Sequence, residues 1–274
     1  MHRPELRFVR HVALDMDGTI YRGNTLFEAT NPFLSLLREL HIGYTFLTNN
    51  SSRSHKDYLE HLKQLGIHAS ENQLYTSSQA TLKYLAEHWP NVRRLFVLGT
   101  PSLRQEMAAA GFVVTDDSAT EEPDAVVVGF DTGLTFARLC RAAYWLKQGK
   151  PFVATHPDRV CPTDQPTVLV DCGSICAALV EATGRAPDAV LGKPDPGMIR
   201  ALLEHHALQP ENLAMVGDRL YTDMVMARRA GVMAVLVLSG ETTPQDAARH
   251  SPPPDLIVPG LADLGDKLRA ARTA

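Results

Sequence analysis

Short apolar runs rich in β-branched residues alternate along this chain with longer segments in which apolar positions recur every three to four residues. Strands are expected at 11–14, 44–47, 94–98, 124–128, 213–216, 234–238 and 255–258, since uniformly apolar runs of this length suit strands covered on both faces. Helical spacing is read over 32–40, 54–65, 77–88, 135–148, 174–183 and 222–230. Gly66, Pro90, Gly149, Gly184 and Gly231 follow five of these segments, where a left-handed cap or a missing N–H ends the ladder. Strand and helix in alternation predict βαβ units on parallel sheet, an α/β fold.

Composition narrows the picture. Of the 274 residues 45% are hydrophobic and 21% charged, enough apolar content for a packed core. The length is one at which a single core begins to divide into two. Lys and Arg number 27 against 31 Asp and Glu, for a net charge of −4, and no basic run offers a counterion-release drive, so no nucleic-acid partner is expected. Apolar stretches fall far short of the roughly 20 residues that span a bilayer, and the first residues lack the apolar segment of a secretory signal. No membrane association and a cytoplasmic location are therefore expected. Cys140, Cys161, Cys172 and Cys176 contain no C-x-x-C pair and are expected as reduced, buried or half-buried thiols.

The chemistry gathers after strands. Asp15-Met16-Asp17-Gly18-Thr19 follows the first expected strand, and Gly217-Asp218, with Asp223 five residues beyond, follows the one at 213–216. In a parallel sheet, residues just past the carboxyl ends of strands share one edge, where ligands bind. Carboxylates collected there repel one another, and a hard cation such as Mg²⁺, which takes carboxylates together with phosphate and water, relieves the conflict. Thr48-Asn49-Asn50-Ser51 ends the strand at 44–47, and Leu191-Gly192-Lys193-Pro194 brings a lysine. Thr48 and the amides after it, Asn49 included, can donate to phosphoryl oxygens, and Lys193 supplies fixed positive charge. Each short motif alone is also an ordinary turn or helix cap. No G-x-G-x-x-G or G-x-S-x-G occurs, and Pro194 after Gly192-Lys193 excludes a P-loop.

Taken in order, Asp15-Met16-Asp17-Gly18-Thr19-Ile20-Tyr21, Thr48-Asn49-Asn50-Ser51, Leu191-Gly192-Lys193-Pro194 and Val216-Gly217-Asp218-Arg219-Leu220-Tyr221-Thr222-Asp223 resemble the haloacid dehalogenase superfamily of phosphohydrolases, in its NagD-like and p-nitrophenylphosphatase-like branch. The resemblance implies a Rossmann-like three-layer parallel-sheet core with an inserted α/β cap. It also implies hydrolysis of phosphate monoesters through an aspartyl-phosphate. In the roles so implied, Asp15 is the nucleophile and Asp17 the acid and base. Thr48, Asn49 and Lys193 bind the phosphoryl group. Asp15, Asp17 through its backbone carbonyl, and Asp218 hold Mg²⁺, with Asp223 behind them. The partner is a small phosphate ester such as a sugar phosphate, and relatives of this branch form homodimers through the cap.

Spacing locates the insertion. Asp15 and Thr48 lie 33 positions apart, room for one βαβ crossover, whereas Thr48 and Lys193 lie 145 apart, room for a second domain of roughly 100 residues. The expected division is 1–78 and 185–274 for the core and 79–184 for the cap. Within the latter, Ala154-Thr155-His156-Pro157-Asp158 resembles a family segment A-T-N-x-D. His156 reads as a solvated loop histidine, with substrate contact as the other reading. Halide displacement needs no acid two residues after the nucleophile, so Asp17 argues against it. A phosphotransferase and a silent phosphate-binding module are the alternatives; the short gap before Thr48 disfavours the first, and the presence of Asp15, Asp17 and Lys193 the second.

Overall fold

The computed structural model describes residues 5–163 and 165–273. Two compact units share the chain: Met1–Thr48, Leu62–Tyr75 and Lys193–Ala274 form one, Asn49–His61 and Thr76–Gly192 the other.

The first unit is built on six strands in the order Leu256–Val258, Met233–Val237, Leu213–Gly217, His11–Asp15, Gly43–Thr48, Leu74–Thr76. Parallel ladders join the first five. Val12, Ala13 and Leu14, like Leu213, Met215 and Val216, are buried, as strands sandwiched between helical layers must be. Helix Thr30–Glu39 packs on Leu261–Thr273, and Gly197–His205 on Val225–Ala230. From His11–Asp15 the chain moves to Gly43–Thr48 on one side and later returns to Leu213–Gly217 on the other. The doubly wound sheet therefore reverses its order at its central strand, the place where such folds bind ligands.

In the second unit the strands Ala189–Val190, Phe152–Ala154, Ala125–Val128, Arg94–Leu98 and Val113–Val114 form another sheet, parallel throughout. Phe96, Val128, Trp145, Phe152 and Leu179 lie in its core. Thr100 accepts the Leu103 N–H and caps a helix at Pro101–Ala109.

The expected α/β class holds, and the strands at 11–14, 44–47, 94–98 and 213–216 match to within a residue or two. Among the described residues, Phe152–Ala154, Leu74–Thr76 and six strands of two residues each were not expected, nor were helices Pro101–Ala109, Gly197–His205, Pro244–Arg249 and Leu261–Thr273. The helix expected at 222–230 is regular only over Val225–Ala230, after a π-turn at Leu220–Met224. Cys140 is exposed, contrary to expectation, while Cys172 and Cys176 are buried. Among the described residues no helix is long and apolar enough to cross a membrane.

Candidate active site

Register brings the first motifs together. Asp15 pairs with Leu47 and Leu14 with Val216 on neighbouring strands, so Asp15, Thr48 and Asp218 emerge side by side at one edge of the sheet. Oxygen atoms of Asp15, Asp218 and Asp223 lie within 4.8 Å of one another.

Asp218 sits in a cradle of backbone. Its Oδ2 accepts the Glu241 N–H at 2.6 Å, and its carbonyl oxygen accepts the Thr242 hydroxyl at 2.5 Å. A side chain at Gly18 would begin 2.5 Å from Asp218 Oδ2, and one at Gly240 would overlap it. Gly18 also has φ of +87°, a conformation glycine adopts freely. The turn after Asp17 is closed by Ile20 N–H to the Met16 carbonyl and by Thr19 Oγ1 to Asp15 Oδ2 at 3.1 Å. The other oxygen, Asp218 Oδ1, is buried without a hydrogen-bond partner. Burial, with Asp15 and Asp223 close by, raises the Asp218 pKa to about 8. An orphaned carboxylate oxygen facing further carboxylates, in an all-oxygen donor set, fits a hard divalent cation.

Lys193 is the buried cation of the cluster. Its Nζ donates to Asp15 Oδ1 and, at 2.9 Å, to Asp223 Oδ1. Burial opposes its charge, but these two carboxylates reverse that effect and hold its pKa above the ordinary lysine value. Asp223 reaches the site from the π-turn, its Oδ2 accepting the Arg219 N–H at 3.1 Å. The carboxylate lies where any side chain at Gly217 would stand. Burial raises the Asp223 pKa to about 6, against the lowering effect of Lys193. With both oxygens engaged, Asp223 supports the lysine, whereas Asp218 keeps an oxygen uncommitted.

Asp17 stands beside this group, its pKa raised to about 6 by burial and by Asp15, with Arg219 and Arg22 opposing. Thr48 is buried at the end of its strand. Asn49 belongs to the second unit, where its amide donates to both oxygens of Asp158 at 3.2 Å.

His156 is neither solvated nor on a surface loop. It is fully buried, its Nδ1 2.9 Å from Thr155 Oγ1 and its Nε2 2.9 Å from Asp171 Oδ1. Burial alone would lower its pKa, but Cys172 and Asp171 raise it to about 9. Its partner Asp171 also caps helix Cys172–Thr183.

The profile of the haloacid dehalogenase-like hydrolases matches residues 12–113, and a second, described as HAD-hydrolase-like, matches 190–264. A 4-nitrophenylphosphatase from Thermotoga maritima superposes with a TM-score of 0.90 at 39% identity, over 95% of this chain and 98% of that one. The chain belongs to the haloacid dehalogenase-like hydrolases. Within them it falls in the NagD-like phosphatase branch. The ribonucleotide monophosphatase NagD of Escherichia coli K12 is 30% identical over 93% of this chain and 98% of its own length. A glycerol phosphate phosphatase from Mycobacterium tuberculosis, solved in complex with magnesium, is 31% identical. It has a TM-score of 0.87 over 100% of this chain and 82% of that one.

Sequence reading of this NagD-like chain missed two charged residues of the site. Arg219, mostly buried, pairs with Glu241 at 2.9 Å, and Glu241 Oε1 accepts the Tyr221 hydroxyl at 2.8 Å. Arg219 was within reach of the reading, since it follows Asp218 directly. Glu241 lies in a loop with no periodic signal.

Proposed function

We propose that the protein is a Mg²⁺-dependent phosphate monoester hydrolase that acts on a small phosphorylated metabolite, a sugar phosphate or a compound of similar size, through a phosphoaspartate on Asp15. The observation that carries this reading is the strand-end cluster of Asp15, Asp218 and Asp223 with Lys193 bonded into it.

Asp15 attacks phosphorus, and the bond to the leaving oxygen breaks. Asp17, with a pKa of about 6, is poised to give a proton to that oxygen and to take one from the water that then hydrolyses the acyl phosphate. Lys193 offsets charge on the phosphoryl group, and the Thr48 hydroxyl with the amides that follow, Asn49 included, donates to its oxygens. Asp15, the backbone carbonyl of Asp17, and Asp218 would hold Mg²⁺, with Asp223 keeping Lys193 in place. When bound, the metal neutralises phosphoryl charge that would otherwise repel the nucleophile.

To this reading belong the division into a core of 1–78 with 185–274 and a cap of 79–184 that selects the leaving group, a homodimer through the cap, and a cytoplasmic location. Phosphate release from p-nitrophenyl phosphate with Mg²⁺ is the test: Asp15→Asn should lower turnover by about 10³-fold or more. Unchanged turnover in that variant would refute the assignment.

A further inference from the structure

The charges around Asp15 do not balance. Asp15, Asp17, Asp218 and Asp223 are opposed by Lys193 and Arg219. Farther out, Arg22 lies near Asp17 and donates to the Ser239 carbonyl at 2.9 Å, and Glu241 pairs with Arg219. These two outer charges cancel. With the acids ionised, the sum is two negative charges, which one divalent cation neutralises.

Of the two inner cations, Lys193 is tied to Asp15 and Asp223. Arg219 is placed differently. Its backbone N–H is fixed on Asp223 and its guanidinium on Glu241, whose own backbone N–H is fixed on Asp218 and whose second oxygen holds Tyr221. The loop that cradles the Asp218 carboxylate thus also anchors the guanidinium, so a permanent positive charge stands at a set place beside Asp15 and Asp218.

We propose that Arg219 is a positioning residue of the phosphatase site that sets the net charge of the pocket, lowering its affinity for Mg²⁺ and raising the affinity of the metal-loaded pocket for a phosphate dianion. The proposal rests on the Mg²⁺ site described above. Without the arginine the pocket would hold one more negative charge. The cation would bind more tightly, and the loaded site would repel the dianion. A residue that merely supported the fold would, on removal, weaken both.

Calorimetric titration of Mg²⁺ into the protein at alkaline pH, where protons compete least, and of inorganic phosphate into the Mg²⁺-loaded protein, separates these outcomes without measuring turnover. In Arg219→Gln the dissociation constant for Mg²⁺ should fall about tenfold and that for phosphate rise about tenfold, the scale of one charge moved at short range. Arg219→Lys should return both toward wild type. Glu241→Gln, which removes a negative charge and leaves the backbone cradle in place, should shift both constants in the opposite senses and serves as the readout if Arg219→Gln fails to fold. Weaker binding of both ligands in Arg219→Gln, or no change in either, would overturn the proposal. Wild-type protein that takes up no Mg²⁺ would instead overturn the metal-site reading beneath it.

Discussion

The Nζ of Lys193 stands 2.9 Å from Oδ1 of Asp223, and both side chains are almost closed to solvent, at 3% and 1% exposure. The same ammonium is bonded to Asp15. One lysine therefore answers two carboxylates, and the fully buried one, that of Asp223, is not readily hydrated in its absence.

Lys193→Met should accordingly lose stability as well as activity. Removing one partner of a buried ion pair costs about 3–5 kcal/mol, read as a shift of the urea midpoint. Lys193→Met with Asp223→Asn should regain part of that stability and none of the turnover, because Asp15 and the phosphoryl group would still lack their cation. Equal midpoints for wild type and Lys193→Met would contradict the burial argument.

Asp218 gives the metal-free protein a distinct pH dependence. Its folded pKa of about 8 lies above the 3.8 of an unperturbed carboxyl, so the folded chain retains a proton that the unfolded chain has released. Its stabilising effect is fully present below about pH 4 and is lost as pH rises through 8, at up to about 1.4 kcal/mol per pH unit. Melting curves in EDTA should show this decline, and Mg²⁺ should restore most stability at the alkaline end. In Asp218→Asn both the decline and the Mg²⁺ response should shrink. A Mg²⁺ response of undiminished size in that variant would count against Asp218 as a ligand.

Gly18 opposes a methyl group on two counts. Its φ is +87°, and an added Cβ would stand only 2.5 Å from Asp218 Oδ2. Gly18→Ala therefore strains the backbone by roughly 1–3 kcal/mol and displaces the carboxylate. Both the melting temperature and the Mg²⁺-induced rise in it should fall. Loss of stability alone, with Mg²⁺ affinity unchanged, would show that Asp218 can move aside freely.

His11 lies at the other end of its strand, buried, with Nε2 2.9 Å from Thr45 Oγ1 and its ring 4.2 Å from that of His206. Burial, then the neighbouring His206 and His205, lower its pKa to about 3. Below about 6.5 the unfolded chain takes up a proton that the folded chain refuses. Stability is therefore lost as pH falls from that value toward 3, by up to about 1.4 kcal/mol per unit. The gap in stability between His11→Gln and wild type, measured from neutral pH down to about pH 4, should shift steadily in favour of the variant. A constant gap would mean that His11 titrates normally.

Much of the first unit is legible in the sequence because its strands are apolar on both faces and end in acids. The run 11–14 leads into Asp15 and the run 213–216 into Gly217-Asp218, so the parallel-sheet rule alone sets them on one edge. Asp223 is less accessible to such reading. Helical spacing starts it on a regular helix, but the π-turn at Leu220–Met224 is what carries its carboxylate back over Gly217, and periodicity does not register one extra residue in a turn. Glu241 enters only because the strands Leu213–Gly217 and Met233–Val237 are neighbours, which brings the loops that follow them together. The two-residue strands Val113–Val114 and Ala189–Val190 are too short to show any pattern. His156 is misread because its partner Asp171 lies 15 positions away, and a local reading finds a polar residue beside a proline.

Asp15, Thr48 and Asp218 project from three adjacent parallel strands, and the distance between such strands is a property of the backbone, about 4.8 Å in any sheet. The spacing of the strand ends that carry Asp15, Thr48 and Asp218 is therefore ruled by peptide hydrogen bonding and not by the choice of side chains around them. Mutation can delete a member of the cluster or push a carboxylate aside, but it cannot change the spacing of the strands beneath to suit a larger or smaller reacting group. A site with this ruler built in has one fixed gauge for the group it acts upon, and selection for a new substrate has to work on whatever that group is attached to.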